Sequence, residues 1–403
     1  MIITNVETLR LKAHPNVLWV QLHTDSGLTG LGESWFGTAA VEADIHERIA
    51  PLIIGSNARR VEYLNTKMLP YTGFNGSGAE IRALSAVDVA LWDLASKSVN
   101  LPLCEFLGGR FRNSIPVYNT CAGPNYVSQT SEVRPDNFGT GSDARTDNYE
   151  DLNAFMNSPE ELAASLMEMG IESMKIWPFD FAEGAADGID INHRDIEKAI
   201  APFEKIRKAH GNKIRLKAEL HGLWSLNAAR KIALALEPLD IDWIEDPIWM
   251  DHTRDIAELA SFTRTPLAGG ETLAGIGDFS TLINDGNIAT PIMDVTWGGG
   301  VTVARKVAAL AEARARPVAF HDCSGPVTLM VSTHLALALR NIREQEITRA
   351  FYYGWYSELV DQLPPLTDGR ITVTDKPGLG MNLQPDLLSR ADAIHKVSSS
   401  ETL

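Results

Sequence analysis

The chain has 403 residues, 44% of them hydrophobic and 22% charged, which is enough for two domains or for one large barrel with a smaller partner. A formal net charge of −16 argues against nucleic acid or an anionic membrane surface as a partner, because either would be repelled, and a small anionic substrate would need a local cation to bind. Three widely spaced cysteines, Cys104, Cys121 and Cys323, suit reduced thiols in a cytoplasm better than a disulfide framework. The first residues alternate like a strand and lack the charged and apolar regions of a signal peptide. No apolar run reaches the roughly 18 residues that a membrane span needs.

In chain order, "NVLWVQLHTDSGLTGLGESW" alternates apolar and polar positions around "DSG", the chemistry of a hairpin. "SGAEIRALSAVDVALWDLASKSVN" places Ile81, Leu84, Val87, Ala90, Leu91 and Leu94 at three- and four-residue spacing, which predicts a helix buried along one face. A boundary near residue 113 separates this α+β domain, residues 1–113, from the rest of the chain. From "SIPVYNT" onward, short apolar runs alternate with helical segments, the rhythm of βαβ units and a parallel sheet. Eight strands are predicted: "IPVYNT", "SMKIWPF", "IRLKAEL", "IDWIED", "PLAGGE", "IMDVTW", "PVAFH" and "NIREQE". Eight units over residues 114–355 predict a (β/α)₈ barrel with its chemistry at the strand C-terminal ends. The polar stretch 123–157, between the first two strands, is too long for a simple connection and reads as a lid or ordered insertion. The tail, 356–403, reads as strand and turn returning to the first domain.

Polar groups recur at the predicted strand ends. Lys175 ends the second strand, Glu219 and His221 the third, Glu245 the fourth and Glu271 the fifth; Asp294, His321 and Glu344 come on the last three. Glu219 and His221 are two residues apart, so a continuing strand would aim them at one face. Glu219, Glu245 and Glu271 would converge at the barrel mouth, where their repulsion requires a cation or protonation. Oxygen-only ligation favours Mg²⁺, with Mn²⁺ as the alternative; the competing arrangement pairs the carboxylates with a neighbouring Lys or Arg. Asp294 and His321, on adjacent strands, suit a carboxylate that orients a general-base imidazole. Lys175 could bind a substrate carboxylate or act opposite His321.

These residues resemble the enolase superfamily, in particular the mandelate racemase subgroup and its acid-sugar dehydratases. The resemblance covers nearly the whole chain and rests on "LSAVDVALWDLASK" with "PLCEFLGG", on "AELHG", "IEDP", "GGETLAG", "MDVTWGGGVTVARKVAALAE" and "FHDCSGPV", and on "PGLGMNL". It implies an α+β capping domain, built from both chain ends, over the mouth of a modified barrel. It also implies Mg²⁺ on Glu219, Glu245 and Glu271, an Asp294 and His321 dyad as base, and a homo-oligomer of unfixed size. Two departures stand out: the first ligand is Glu where Asp is commoner, and the second strand carries Lys175, Ile176 and Trp177 where racemase-type members have Lys-x-Lys.

The implied reaction is dehydration of an acid sugar. His321 takes the proton α to a carboxylate, Mg²⁺ stabilises the enediolate, and His221 protonates the departing β-hydroxyl to give a 2-keto-3-deoxy acid. Glu344 falls on a family position associated with hydrogen bonding to the intermediate. The insertion and the first-domain loops around Trp35 and Phe74 would select the substrate. The rival readings are a racemase or epimerase working with Lys175 and His321, and a non-catalytic metal and sugar-acid binding protein.

Overall fold

A computed structural model of the chain describes residues 1–71, 76–130, 133–140 and 149–402. The first three strands, β1 (Ile3–Leu11), β2 (His14–Thr24) and β3 (Thr29–Trp35), form an antiparallel meander. Gly27 takes the left-handed conformation (φ +79°) in the turn between β2 and β3. The helix Ala79–Lys97 lies directly on β3. A Cβ on Gly32 would come within 1.9 Å of the Ala86 carbonyl oxygen, so only glycine allows this approach. The spacing predicts one buried face, but every residue from Ala83 to Ser96 is buried. The far side of the helix meets a second layer, the barrel helix Gly300–Ala313.

Eight parallel strands build the barrel: β4 (Ile115–Thr120), β5 (Ser173–Ile176), β6 (Arg215–Glu219), β7 (Trp243–Glu245), β8 (Leu267–Gly269), β9 (Thr290–Met293), β10 (Val318–Phe320) and β11 (Ile342–Ile347). Each pairs with the next, and β11 pairs back on β4, Gln345 opposite Val117, which closes the cylinder. Every strand overlaps its predicted run, yet β7, β8 and β10 are only three residues long. Their polar C-terminal neighbours leave the ladder and turn into the mouth. The interior is filled by Tyr118, Trp243, Ala268, Ile292 and Ala319.

After the barrel, β12 (Leu366–Thr367) and β13 (Arg370–Ile371) form a small hairpin, and β13 pairs antiparallel with the start of β4. The last strand, β14 (Ala393–Ser399), pairs antiparallel with β1, from Asn5 opposite Ser399 to Leu11 opposite Ala393. Both chain ends therefore contribute to one four-stranded sheet, in the order β14-β1-β2-β3.

Two buried carboxylates fasten this cap to the barrel. The helices Gly300–Ala313 and Pro326–Ala338 begin after Gly299 and Gly325, which offer no side chain to receive the first amide groups. Asp88, on the long cap helix, accepts instead from Thr302 N (3.0 Å) and Oγ1 (2.6 Å), while Glu33, on β3, accepts from Thr328 N (2.9 Å) and Oγ1 (2.8 Å). Each is an N-terminal cap supplied across a domain boundary.

The described part of 123–157 contains a 3₁₀ turn, Pro135–Asn137, and a helix, Asp151–Asn157. It is held to the cap by Asn16, which donates to the Val127 and Gln129 carbonyls at 2.8 Å each. Asp151 receives both arms of the Arg349 guanidinium at 2.7 Å. No helix among the described residues is long and apolar enough to cross a membrane.

Candidate metal and catalytic site

The strand ends meet under the cap. Glu219, Glu245 and Glu271 each place one carboxylate oxygen within 4.8 Å of the other two. Glu219 Oε1 accepts the Leu220 and His221 amides (2.9 and 2.7 Å), whereas its buried Oε2 faces the Lys175 ammonium at 3.2 Å. Glu245 Oε2 accepts from Trp243 Nε1 (2.7 Å). Each of these two ligands is thus braced through one oxygen. A hard, oxygen-seeking divalent cation fits this donor set. Lys175, at the end of β5, reaches the same oxygens: its ammonium lies 3.2 Å from Glu219, 2.5 Å from Glu245 and 2.9 Å from Glu346. The competing arrangement recognised in the sequence, carboxylates paired with a lysine, thus coexists with the acidic trio. Burial pushes the Glu245 carboxyl above its ordinary range, with Lys175 pulling the other way. Burial disfavours the Lys175 ammonium, but Glu245 and Glu346 outweigh it and hold the group charged.

Asp294 and His321 form a dyad, Nδ1 to Oδ2 at 2.8 Å. Asp294 also accepts from Thr296 N (2.7 Å), Thr296 Oγ1 (2.8 Å) and Ser324 Oγ (2.9 Å), which locks its plane. With Nδ1 donating to Asp294, Nε2 faces the pocket, 3.4 Å from Glu271. Burial alone would depress this imidazole, but Glu271, Glu346 and Asp294 together lift it to about 10.

His221 does not lie on a strand. β6 ends at Glu219, and His221 sits in the following turn at φ +48°. That left-handed turn, rather than strand alternation, brings it to the mouth. It forms a second dyad, Nδ1 to Asp180 Oδ2 at 2.7 Å, and its Nε2 lies 3.3 Å from the Tyr126 hydroxyl. Burial depresses it too, but Asp180 and Glu219 raise it to about 9.

Glu344 needs correction. Its carboxylate lies at the opposite end of the barrel, 3.0 Å from Lys217 and 2.8 Å from Arg215. The strand runs on to Ile347, and period-two alternation turns both Glu344 and Glu346 inward at different heights. The mouth residue is Glu346, which accepts from Thr120 Oγ1 and from the Asp322 amide (2.9 Å). Trp35 lines the pocket, stacked on Trp355 at 6.1 Å. Phe74 lies outside the described residues. The pocket is narrow, about 40 Å³, and Trp177, Tyr126, Trp297 and Cys323 complete its wall. Asp180, Tyr126 and Glu346 were missed in the sequence: Asp180 and Tyr126 stand on irregular backbone where no periodicity marks them, while Glu346 closes the predicted run "NIREQE" and was passed over for Glu344, two residues earlier on the same face.

A closed parallel barrel under an antiparallel cap, with acidic strand ends at the mouth, defines an enolase-like fold. Residues 159–387 match the enolase C-terminal domain-like family, and residues 7–108 match the mandelate racemase / muconate lactonizing enzyme N-terminal domain. The chain belongs to the enolase superfamily, with both domains of its mandelate racemase / muconate lactonizing enzyme branch. A D-galactonate dehydratase from Pectobacterium atrosepticum is 28% identical, over 96% of this chain and 94% of that protein. A D-xylonate dehydratase from Haloferax volcanii is 26% identical, over 95% and 87%. Among solved structures, an enolase of the mandelate racemase subgroup from Agrobacterium tumefaciens superposes with a TM-score of 0.89 at 40% identity, covering all of both chains.

Proposed function

We propose that this chain is a Mg²⁺-dependent acid-sugar dehydratase. The observation that carries the reading is a pair of histidine–carboxylate dyads, His321–Asp294 and His221–Asp180, that line one pocket beside three clustered carboxylates. Elimination of water needs a group that takes a proton and another that gives one, and the two dyads supply both. Similarity to dehydratases named for galactonate and xylonate points to an aldonic acid as substrate.

Glu219, Glu245 and Glu271 would hold the metal. When bound, Mg²⁺ supplies positive charge to the substrate carboxylate and to the negative charge that builds there as the α-proton leaves. His321, its Nδ1–H fixed on Asp294, takes the α-proton at Nε2. His221, its Nδ1 fixed on Asp180, carries a proton on Nε2 and delivers it to the β-hydroxyl, which leaves as water. The enol that remains tautomerises to a 2-keto-3-deoxy acid. Lys175 is engaged by three carboxylates, and the second strand reads Lys175-Ile176-Trp177 in place of Lys-x-Lys, which weighs against the racemase reading.

The test is a screen of aldonic and aldaric acids with Mg²⁺, read by semicarbazone formation from 2-keto products. Turnover that disappears in His321→Asn and in His221→Asn supports the assignment. Exchange of the α-proton for deuterium with no keto product would replace it with an epimerase. Stoichiometric binding with neither exchange nor product would replace it with a binding protein.

A further inference from the structure

The cap carboxylate Glu33 does more than cap a helix. Its Oε1 meets the Thr328 hydroxyl at 2.8 Å; that hydroxyl lies 3.1 Å from the Thr296 hydroxyl, which lies 2.8 Å from Asp294 Oδ1. Asp294 in turn holds His321. An unbroken line of side-chain oxygens therefore runs from β3 of the cap to the imidazole. Glu33, Thr328, Thr296 and Asp294 are all fully buried, so water cannot substitute for any link.

We propose that Glu33 is a positioning residue for the base: through the Thr328 and Thr296 hydroxyls it fixes the hydrogen bonding of Asp294 and thereby the orientation of His321. The inference rests on the reading of His321 as the base.

Glu33 is anchored by four donors: Trp19 Nε1 (2.8 Å), the Val327 amide (3.4 Å), and the amide and hydroxyl of Thr328 (2.9 and 2.8 Å). The Thr328 hydroxyl donates to Glu33, which holds its oxygen 3.1 Å from the Thr296 hydroxyl. The Thr296 amide and hydroxyl both donate to Asp294 Oδ1, at 2.7 and 2.8 Å, so where Thr296 sits decides how Asp294 is held. The cap thus reaches the His321–Asp294 dyad without touching the substrate.

A helix cap alone makes a different prediction, because Thr328→Val removes the hydroxyl but keeps the Thr328 amide on Glu33. The experiment compares wild type, Thr328→Val and Thr328→Ser, each loaded with Mg²⁺. The first readout is kcat against KM on the acid found in the screen. The second, independent of turnover, is the Nδ1 proton resonance of His321 in ¹⁵N-histidine-labelled protein, assigned by its loss in His321→Asn. The expected result for Thr328→Val is a kcat lowered about tenfold with KM within about twofold, a shifted and faster-exchanging resonance, and recovery of both in Thr328→Ser. Thr328→Ala replaces the valine if that variant does not fold. An unchanged His321 resonance in the variant lacking the hydroxyl, or failure of serine to restore it, overturns the proposal. If wild type turns over no acid, the dehydratase reading fails, and the resonance still decides whether Glu33 positions His321.

Discussion

Each end of the barrel holds a fully buried lysine among carboxylates, and the two ends differ in balance. At the base, Lys217 meets Asp242 (2.9 Å) and Glu344 (3.0 Å), and Arg215 and Arg343 pair with the same acids. Its ammonium also lies 4.1 Å from the Trp243 ring centre. Three cations face two carboxylates there, so both acids are fully paired. At the mouth, Lys175 faces Glu219, Glu245 and Glu346, with Glu271, Asp294 and Asp180 close by on their histidines. Acid exceeds base. Two lysines whose Cα atoms pair in register on β5 and β6 thus end in opposite environments. The fully paired end serves the fold, and the acid-rich end has the charge to hold a divalent cation and perturbs histidines.

The strongest way to break this contrast is at the base dyad. His321→Asn should lower kcat by about 10³- to 10⁴-fold with little change in melting temperature, measured on the acid identified by the screen. Lys217→Met should do the reverse. Removing one partner of a buried ion pair costs about 3–5 kcal/mol, so denaturant unfolding should register that loss while turnover per folded molecule persists; a variant that is stable but inactive would erase the distinction between the two ends. Glu245→Gln or Glu271→Gln should weaken Mg²⁺ binding by about 100-fold or more, beyond the roughly 10- to 100-fold cost of losing an outer-shell partner, read by calorimetry. Asp180→Asn removes the negative charge beside the His221 ring and should lower kcat by about tenfold, with the larger effect on dehydration than on α-proton exchange.

The smallest effect sharpens the contrast through histidine. His46, in the cap, is buried between the Thr8 and Ser398 hydroxyls (2.8 Å each), and burial depresses it to about 4, opposite in direction to His221 and His321. In the folded chain His46 stays neutral where the unfolded chain would take up a proton. Its contribution to stability is therefore full above its ordinary value of 6.5 and is lost as pH falls from there to about 4. Melting temperature followed over that range should fall more steeply for wild type than for His46→Gln.

The carboxylate trio and the His321–Asp294 pair were legible because strand ends in consecutive β/α units must converge at one mouth. What the sequence hid was what period and propensity do not encode. His221 owes its aim to a left-handed turn, and Asp180 stands in a short 3₁₀ segment, Pro178–Phe181. Glu344 and Glu346 share a face, so alternation could not separate them, and choosing the earlier one moved the assignment from the mouth to the base. Glu33 and Asp88 looked like ordinary polar positions of a hairpin and a helix; their partners, Thr328 and Thr302, are more than two hundred residues away.

The pairing of β14 with β1 has a consequence for how the molecule comes into being. β1 must wait for β14 before its neighbour exists, with the whole cylinder made in between. The entropy of closing so large a loop grows only slowly with its length, but contacts between such distant segments form late. The roof over the mouth is thus completed after its walls, and the act that finishes the sheet also shelters the acidic cluster from bulk water.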